Sequence, residues 1–274
     1  GKLRFELLGP GVQQSWEGGP ANCDARAPGN PGIIFWDCPP NFEGQRLDPQ
    51  WQGNLLRYQV MPALMCPSDS SSIADGHSAK SNYAMSMGNQ LMPANPNPNA
   101  SNWGPPCTLY PGNNFGTGRH GHGNTGMLLQ GQMISGIIAR HNWAANFRDI
   151  TDGSANVICA GEIRPNCGDH TRNGWFHYNS MWVATTAPIN YPIFCVRERS
   201  WDSVQPPTLL SGLQATNCNH WQNWQTSQGF KSKHDGGAFF LLCDGSVRFI
   251  TESIDYMTYQ RLGDRRDGEA VGEY

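Results

Sequence analysis

The sequence predicts an α+β fold dominated by β-structure, one domain spanning residues 1–274 with long irregular loops. Three observations carry that prediction. Its 274 residues include 32 Gly and 20 Pro, a content that short strands and shaped turns accommodate and long helices do not. Ten Trp, eight Tyr and eleven Phe supply the apolar area of a core despite a mean hydropathy of −0.53, so the chain is not disordered. The sharpest local pattern, near the C-terminus, is a β-hairpin.

Taken in order, residues 1–60 are rich in turn formers, with one short apolar stretch at Ile33-Ile34-Phe35-Trp36. A periodic stretch from Leu55 to Met61 runs into Pro62 and then Cys66-Pro67-Ser68-Asp69. Residues 88–125 are dominated by Asn, Pro and Gly but interrupted by Trp103, Tyr110 and Phe115, which makes them a long surface excursion and not a linker. Apolar residues gather in short runs from Met127 to Ile138. Phe147 to Gly153 reads as a helical turn that stops at the glycine. Ala155 to Ile163 reads as a strand, with Val157, Cys159 and Gly161 on one side and Ile158, Ala160 and Glu162 on the other.

The hairpin is Ala238 to Cys243, a two-residue Asp244-Gly245 turn, and Ser246 to Ile250. A type I′ turn needs positive φ at both central positions, which Asp tolerates and Gly adopts freely. Val247 and Phe249 then share one face, opposite Arg248 and Ile250. Ser253 caps a helix from Ile254 to Leu262, ended by Gly263. Neither an internal repeat nor a composition shift divides the chain.

A formal charge of −3 and a pI near 6.2 leave no basic footprint, so nucleic acid is not an expected partner. Charged residues make only 15%, and polarity comes from Asn, Gln, Ser and Thr, as is common in exported proteins. The nine cysteines stand at 23, 38, 66, 107, 159, 167, 195, 218 and 243, with no Cys-x-x-Cys pair, which excludes zinc-ribbon and thioredoxin-like readings. Either they form disulfides in an oxidising compartment or they are scattered buried thiols. The first is preferred, with at least two bridges and no assignable pairing. An odd count leaves one thiol single, and Cys243, in an apolar strand, is the candidate. The longest apolar run, Ala238 to Cys243, has six residues, far short of the roughly 20 of a spanning helix. The opening Gly1-Lys2 is what a trimmed chain would show, leaving room for a targeting segment cut away.

His234, nine intervening residues, Asp244-Gly245 and then Ser246-Val247-Arg248-Phe249 resemble the prepilin-processing-associated C-terminal signature of a bacterial prepilin-type, pseudopilin-like family of unknown function. Upstream blocks fit the resemblance in order. They are Cys66-Pro67-Ser68-Asp69, Ser81-Asn82-Tyr83 with Gly88, and Asp149-Ile150-Thr151-Asp152-Gly153 through Gly161-Glu162. Leu262-Gly263 and Asp267-Gly268-Glu269 complete them. The resemblance implies a pilin-like head built on an antiparallel sheet, carried on an N-terminal helical stalk that this sequence lacks. It further implies a non-enzymatic structural subunit or recognition module at the cell envelope, periplasmic or extracellular. Its partners would be other pilin-like subunits or envelope proteins, and it would meet the membrane only through the missing helix. An extracellular solute- or glycan-binding module exported through a pilin-like segment is the alternative.

The sequence yields no catalytic residues and no cofactor. Residues 231–274 hold the signature, in which His234 and Asp244 lie about 30 Å apart if the chain between them is straight. Asp244-Gly245 therefore shapes a turn and His234 bonds a neighbouring loop. No metal is expected, although two weaker patterns invite one. His120 and His122, with His141, His170, His177, His220 and His234 elsewhere, lack any metal-ligand spacing. Asp149 and Asp152, near Gly153 and Asn156, offer oxygens for calcium but not the spacing of an EF-hand, so capping is the better reading. Trp175, Trp182, Trp201, Trp221 and Trp224 gather near amides, as in a sugar-binding groove, though buried core explains them more simply.

Overall fold

A computed structural model describes residues 58–69, 78–89, 134–139, 143–168, 170–175, 180–193 and 223–274, with 92, 107, 195, 217–219 and 221. It also describes the pairing of β1 (Gln50–Trp51) with β2 (Asn54–Leu55), a two-stranded antiparallel ribbon. Backbone contacts group the chain into two units, Gly1–Gln59 and Val60–Tyr274. The expectations for Ile33 to Trp36, for most of 88–125 and for Met127 to Met133 lie outside the described residues.

The second unit is built on a β-dominated five-stranded sheet of order β5-β3-β4-β6-β7. The strands are β3 (Tyr83–Ser86), β4 (Ile158–Glu162), β5 (Trp182–Val183), β6 (Gly237–Leu242) and β7 (Val247–Thr251). Four of them pair antiparallel, while β5 joins β3 in parallel, Met85 opposite Trp182. The sheet is therefore mixed where the resemblance implied an antiparallel one.

One face of the sheet carries the main core. Ile158, Phe230, Ala238, Phe240, Leu242 and Ile250 pack there against Tyr259 and Leu262 of α2 (Tyr256–Gly263). A second cluster joins Met87, Met92 and Ile134 to Trp182 and Trp224, the latter opening the short helix α1 (Trp224–Ser227). The Lys231 ammonium, fully buried, donates to the carbonyls of Thr226, Ser227 and Gly229 and closes that helix. The buried Arg265 guanidinium donates to the carbonyls of Ile134 and Gly136 and lies over the Trp143 ring, tying residues 134–139 to the end of the chain.

Three local expectations change. Alternation along β4 breaks at a bulge between Ile158 and Ala160. The extra residue flips the side-chain parity, so Ile158 and Gly161 share the core face that strict alternation would have divided between them. The hairpin loop has three residues, Cys243 to Gly245, because Gly245 N–H donates to Leu242 O and Leu242 N–H to Ser246 O. Only Gly245 has positive φ, at 89°, so a tight turn ending in a glycine bulge replaces the type I′ turn. Finally, the cap of α2 is Asp255, whose Oδ1 accepts from Thr258 N–H at 2.8 Å. The helix begins two residues later than the Ser253 cap predicted. The turn at 147–153 is a 3-10 helix at Phe147–Asp149, and Gly153 stands at φ 87°.

The opposite face of the sheet is apolar and open. Met85 (38%), Phe239 (40%), Leu241 (37%), Val247 (64%) and Phe249 (40%) keep these fractions of their surface exposed. Phe239 and Phe249 pair edge-to-face across β6 and β7 at 5.0 Å. No helix among the described residues is long and apolar enough to cross a membrane.

Candidate functional site

At one end of that open face, three sequence blocks far apart in the chain meet. Glu162 ends β4 and projects, like Tyr83 opposite it in β3, away from the core. Its Oε2 accepts from Ser232 Oγ at 2.8 Å and from Phe239 N–H at 2.8 Å. With that oxygen doubly held, Oε1 faces His234 Nε2 at 3.3 Å. His234 is placed by its own N–H, which donates to Ser232 Oγ at 3.0 Å, and by an edge contact with Phe239 at 5.1 Å. The same Nε2 lies 3.7 Å from Cys66 Sγ, across 168 residues of sequence.

Cys66 is held as firmly. Its N–H donates to Asn82 Oδ1 at 3.0 Å, and Asn82 Nδ2 donates to Asp69 Oδ2 at 2.8 Å. Asp69 N–H closes the turn onto Cys66 O at 3.0 Å. The backbone of Ser68 and of Asp69 favours the thiolate, while the Tyr83 side chain on β3 interacts with the sulfur. Burial, followed by the neighbouring Glu162 carboxylate, pushes the Cys66 thiol up despite that backbone. Cys66 and Glu162 are buried and His234 is half-buried.

The arrangement discriminates among chemistries. In a nucleophilic triad, the base turns one ring nitrogen to the nucleophile and the other to the carboxylate. Here a single nitrogen faces both sulfur and carboxylate. One donor atom from each of Cys66, Glu162 and His234 lies within 4.8 Å of the other two. Three donors around one point is the geometry of chelation.

The remaining predicted positions fall elsewhere. Asp244 lies in the hairpin loop at the far end of β6, where its Oδ1 accepts from Ser246 N–H and Oγ at 2.8 and 2.7 Å. These bonds hold its carboxyl below the usual range. Asp244 and Gly245 shape a turn, while the partners of His234 are a β4 carboxylate and a thiol. Asp149 caps its own 3-10 helix by accepting from Asn146 N–H at 2.8 Å. Asp152 accepts from Asp267 N–H at 2.6 Å and Gly268 N–H at 3.1 Å. The two calcium candidates thus serve separate backbone contacts, and no described metal-ligand cluster contains them.

His120, His122, His141, His177, His220 and Trp201 lie outside the described residues. His170 is buried against Trp224 and Trp182, at 4.4 and 5.2 Å between ring centroids. Those two indoles meet at 5.7 Å within the core and present no sugar-stacking face. Trp221 carries the Arg172 guanidinium over its ring at 4.2 Å.

Two disulfides, Cys107–Cys218 and Cys167–Cys195, meet the expectation of at least two bridges. Cys66, Cys159 and Cys243 are unbridged. Cys243 is single as expected, but it sits in the loop beyond β6, half-buried and sharing a hydrogen bond with the Cys159 thiol. That bond lowers Cys159 to about 7 and raises Cys243.

Sequence reasoning kept Cys66, Glu162 and His234 in separate blocks. The signal that unites them is chemical: each block contributes one metal-competent donor. A family model described as Protein of unknown function (DUF1559) matches residues 36–256. No curated protein and no solved structure matches the chain.

Proposed function

The chain belongs to the family described as Protein of unknown function (DUF1559), and from that premise we propose that it is the non-enzymatic, exported head of a pilin-like subunit. It serves as a structural or recognition module in a pseudopilus-like or cell-surface assembly. The observation that carries this reading is the open apolar sheet face formed by Met85, Phe239, Leu241, Val247 and Phe249. A sheet whose far side already carries the core and α2 gains a second apolar face only if something apolar covers it. The occupant is an apolar helix of prepilin type, the segment implied by the signature around His234 and Asp244-Gly245. Disulfides Cys107–Cys218 and Cys167–Cys195 support an oxidising compartment outside the cytoplasm.

The test is the mature N-terminus and assembly state of the protein taken from its native cells. A processed, methylated terminus leading an apolar helix, with the protein in a sheared high-molecular-weight fraction, is the expected result. Phe239→Asp with Phe249→Asp should then abolish assembly and leave the far-ultraviolet circular dichroism of the isolated head unchanged. A monomer released by an ordinary signal-peptide cut, with no apolar helix, overturns the proposal. That outcome favours a free solute- or glycan-binding module.

A further inference from the structure

We propose that Cys66, Glu162 and His234 form a zinc-binding site with one coordination position left open. This inference is independent of the pilin-like reading and stands on the donor geometry. Zinc binds thiolate sulfur at about 2.3 Å and imidazole nitrogen or carboxylate oxygen at about 2.0–2.1 Å. Tetrahedral ligands therefore stand about 3.3 Å apart for N and O and about 3.5 Å apart for S and N. The observed separations are 3.3 Å from His234 Nε2 to Glu162 Oε1 and 3.7 Å from His234 Nε2 to Cys66 Sγ. Two edges of the coordination polyhedron are already in place.

The donor set selects the metal class. A thiolate disfavours magnesium and calcium, which take oxygen ligands. A mixed sulfur, nitrogen and oxygen set suits zinc or its spectroscopic substitute cobalt(II). Charge also balances: one thiolate and one carboxylate neutralise a divalent ion, so the loaded site is neutral where Cys66 and Glu162 are buried. On binding, the ion forms its bond to Cys66 Sγ and the thiol proton leaves to solvent.

Support around the ligands matches the same purpose. Cys66 is fixed by its N–H on Asn82 Oδ1 and by Asp69 N–H on its carbonyl. Ser232 Oγ and Phe239 N–H occupy Oε2 and leave Oε1 to the ion. Such outer contacts orient ligands before the metal arrives. Tyr83 lies opposite Glu162 on the neighbouring strand and interacts with Cys66. A water or an incoming donor from a partner surface completes the tetrahedron at the open position.

The experiment uses the full 274-residue protein, without a histidine tag, disulfides intact, stripped by chelator and titrated with cobalt(II) and then zinc. We expect one equivalent of cobalt, a sulfur-to-cobalt charge-transfer band with tetrahedral visible bands, and displacement by one equivalent of zinc. Cys66→Ser abolishes the charge-transfer band. Glu162→Gln and His234→Gln each weaken zinc binding by at least 10-fold. A Cys159→Ser/Cys243→Ser double variant keeps the band, separating this site from the other thiol pair. If the wild-type protein, verified folded by circular dichroism, takes up no cobalt with a thiolate band, the site does not exist. A band that survives Cys66→Ser or vanishes with folded Cys159→Ser/Cys243→Ser assigns the metal elsewhere and equally overturns it. Because wild-type protein alone can refute the proposal, a ligand variant that fails to fold does not shelter it.

Discussion

Replacing Gly161 by Ala tests how tightly the main core is packed on β4. Gly161 lies on the core face of β4, directly under the edge-to-face pair Phe230 and Phe240, whose centroids are 5.0 Å apart. A Cβ at this position would stand 2.6 Å from Phe240 Cδ1 and 2.7 Å from Phe230 Cδ1. Carbon atoms in contact prefer about 3.5–4.0 Å, so each ring must retreat by about 1 Å. Both rings are fully buried, and beyond Phe240 lies Tyr259, at 6.2 Å between centroids. Overpacking of a filled core costs about 1–3 kcal/mol, and the lack of space on either side places Gly161→Ala at about 2–3 kcal/mol.

Urea unfolding of the disulfide-intact protein, followed by circular dichroism, reads this as a lower midpoint with an unchanged slope. Phe240→Leu on its own also destabilises, by loss of buried area. In the double variant the smaller side chain makes room for the added methyl. We therefore expect a favourable coupling of at least about 1 kcal/mol between the two substitutions. Simple additivity, or a Gly161→Ala cost below about 0.5 kcal/mol, would falsify the ring-over-glycine account of this core.

Other consequences are equally measurable. Burial, followed by Asp264 and Asp152 despite the opposing Glu269 amide, raises Asp267 from 3.8 to about 6. The folded protein therefore holds this proton more tightly than the unfolded chain. The associated stability is present below about pH 4 and is lost as pH rises through 6. Asp267→Asn should flatten that decline and raise the melting temperature at pH 7.5. After discounting for solvent the gain is on the order of 1 kcal/mol, and an unchanged profile counts against the assignment. The Tyr259 hydroxyl is buried without a hydrogen-bond partner among the described residues. Tyr259→Phe should stabilise by about 1 kcal/mol in the same urea assay, whereas a loss would mean the hydroxyl is satisfied. Cys107–Cys218 closes 111 residues and Cys167–Cys195 closes 28. By chain entropy these stabilise by about 5 and about 3.5 kcal/mol. Alanine pairs at each bridge should rank in that order, and peptide mapping that finds other partners rejects both.

Where structure is made by neighbours in sequence, it was legible. The C-terminal hairpin and the helix after it follow from apolar alternation, an Asp-Gly step and a cap-forming residue, all within thirty residues. Errors there were of one or two positions, since Asp255 and Ser253 are chemically similar caps and only the folded chain decides between them. Features that exist only through pairing were not legible. The β4 bulge is a relation between Ile158, Ala160 and the β6 residues opposite them, and the parallel strand at Trp182–Val183 has two residues and no pattern. The site shows the same division. Cys66, Glu162 and His234 each sat in a recognisable block, but their convergence depends on strand register that no spacing encodes. Asp149 and Asp152, close in sequence and similar in chemistry, read as capping residues before calcium ligands, and each accepts from backbone amides of its own.

The order β5-β3-β4-β6-β7 places a mid-chain strand, β4, beside one that arrives near the end. Until the polypeptide has emerged past residue 242, one border of β4 has no neighbour to pair with, and Ile158 has no Phe240 or Leu242 to pack upon. The earlier strands of a nascent chain thus wait unpaired on that side, and the final ribbon, which zips locally and fast, sets the moment of collapse. Shortening the protein by its last forty residues would remove more than a tail: it would leave the earlier segments without a folding partner.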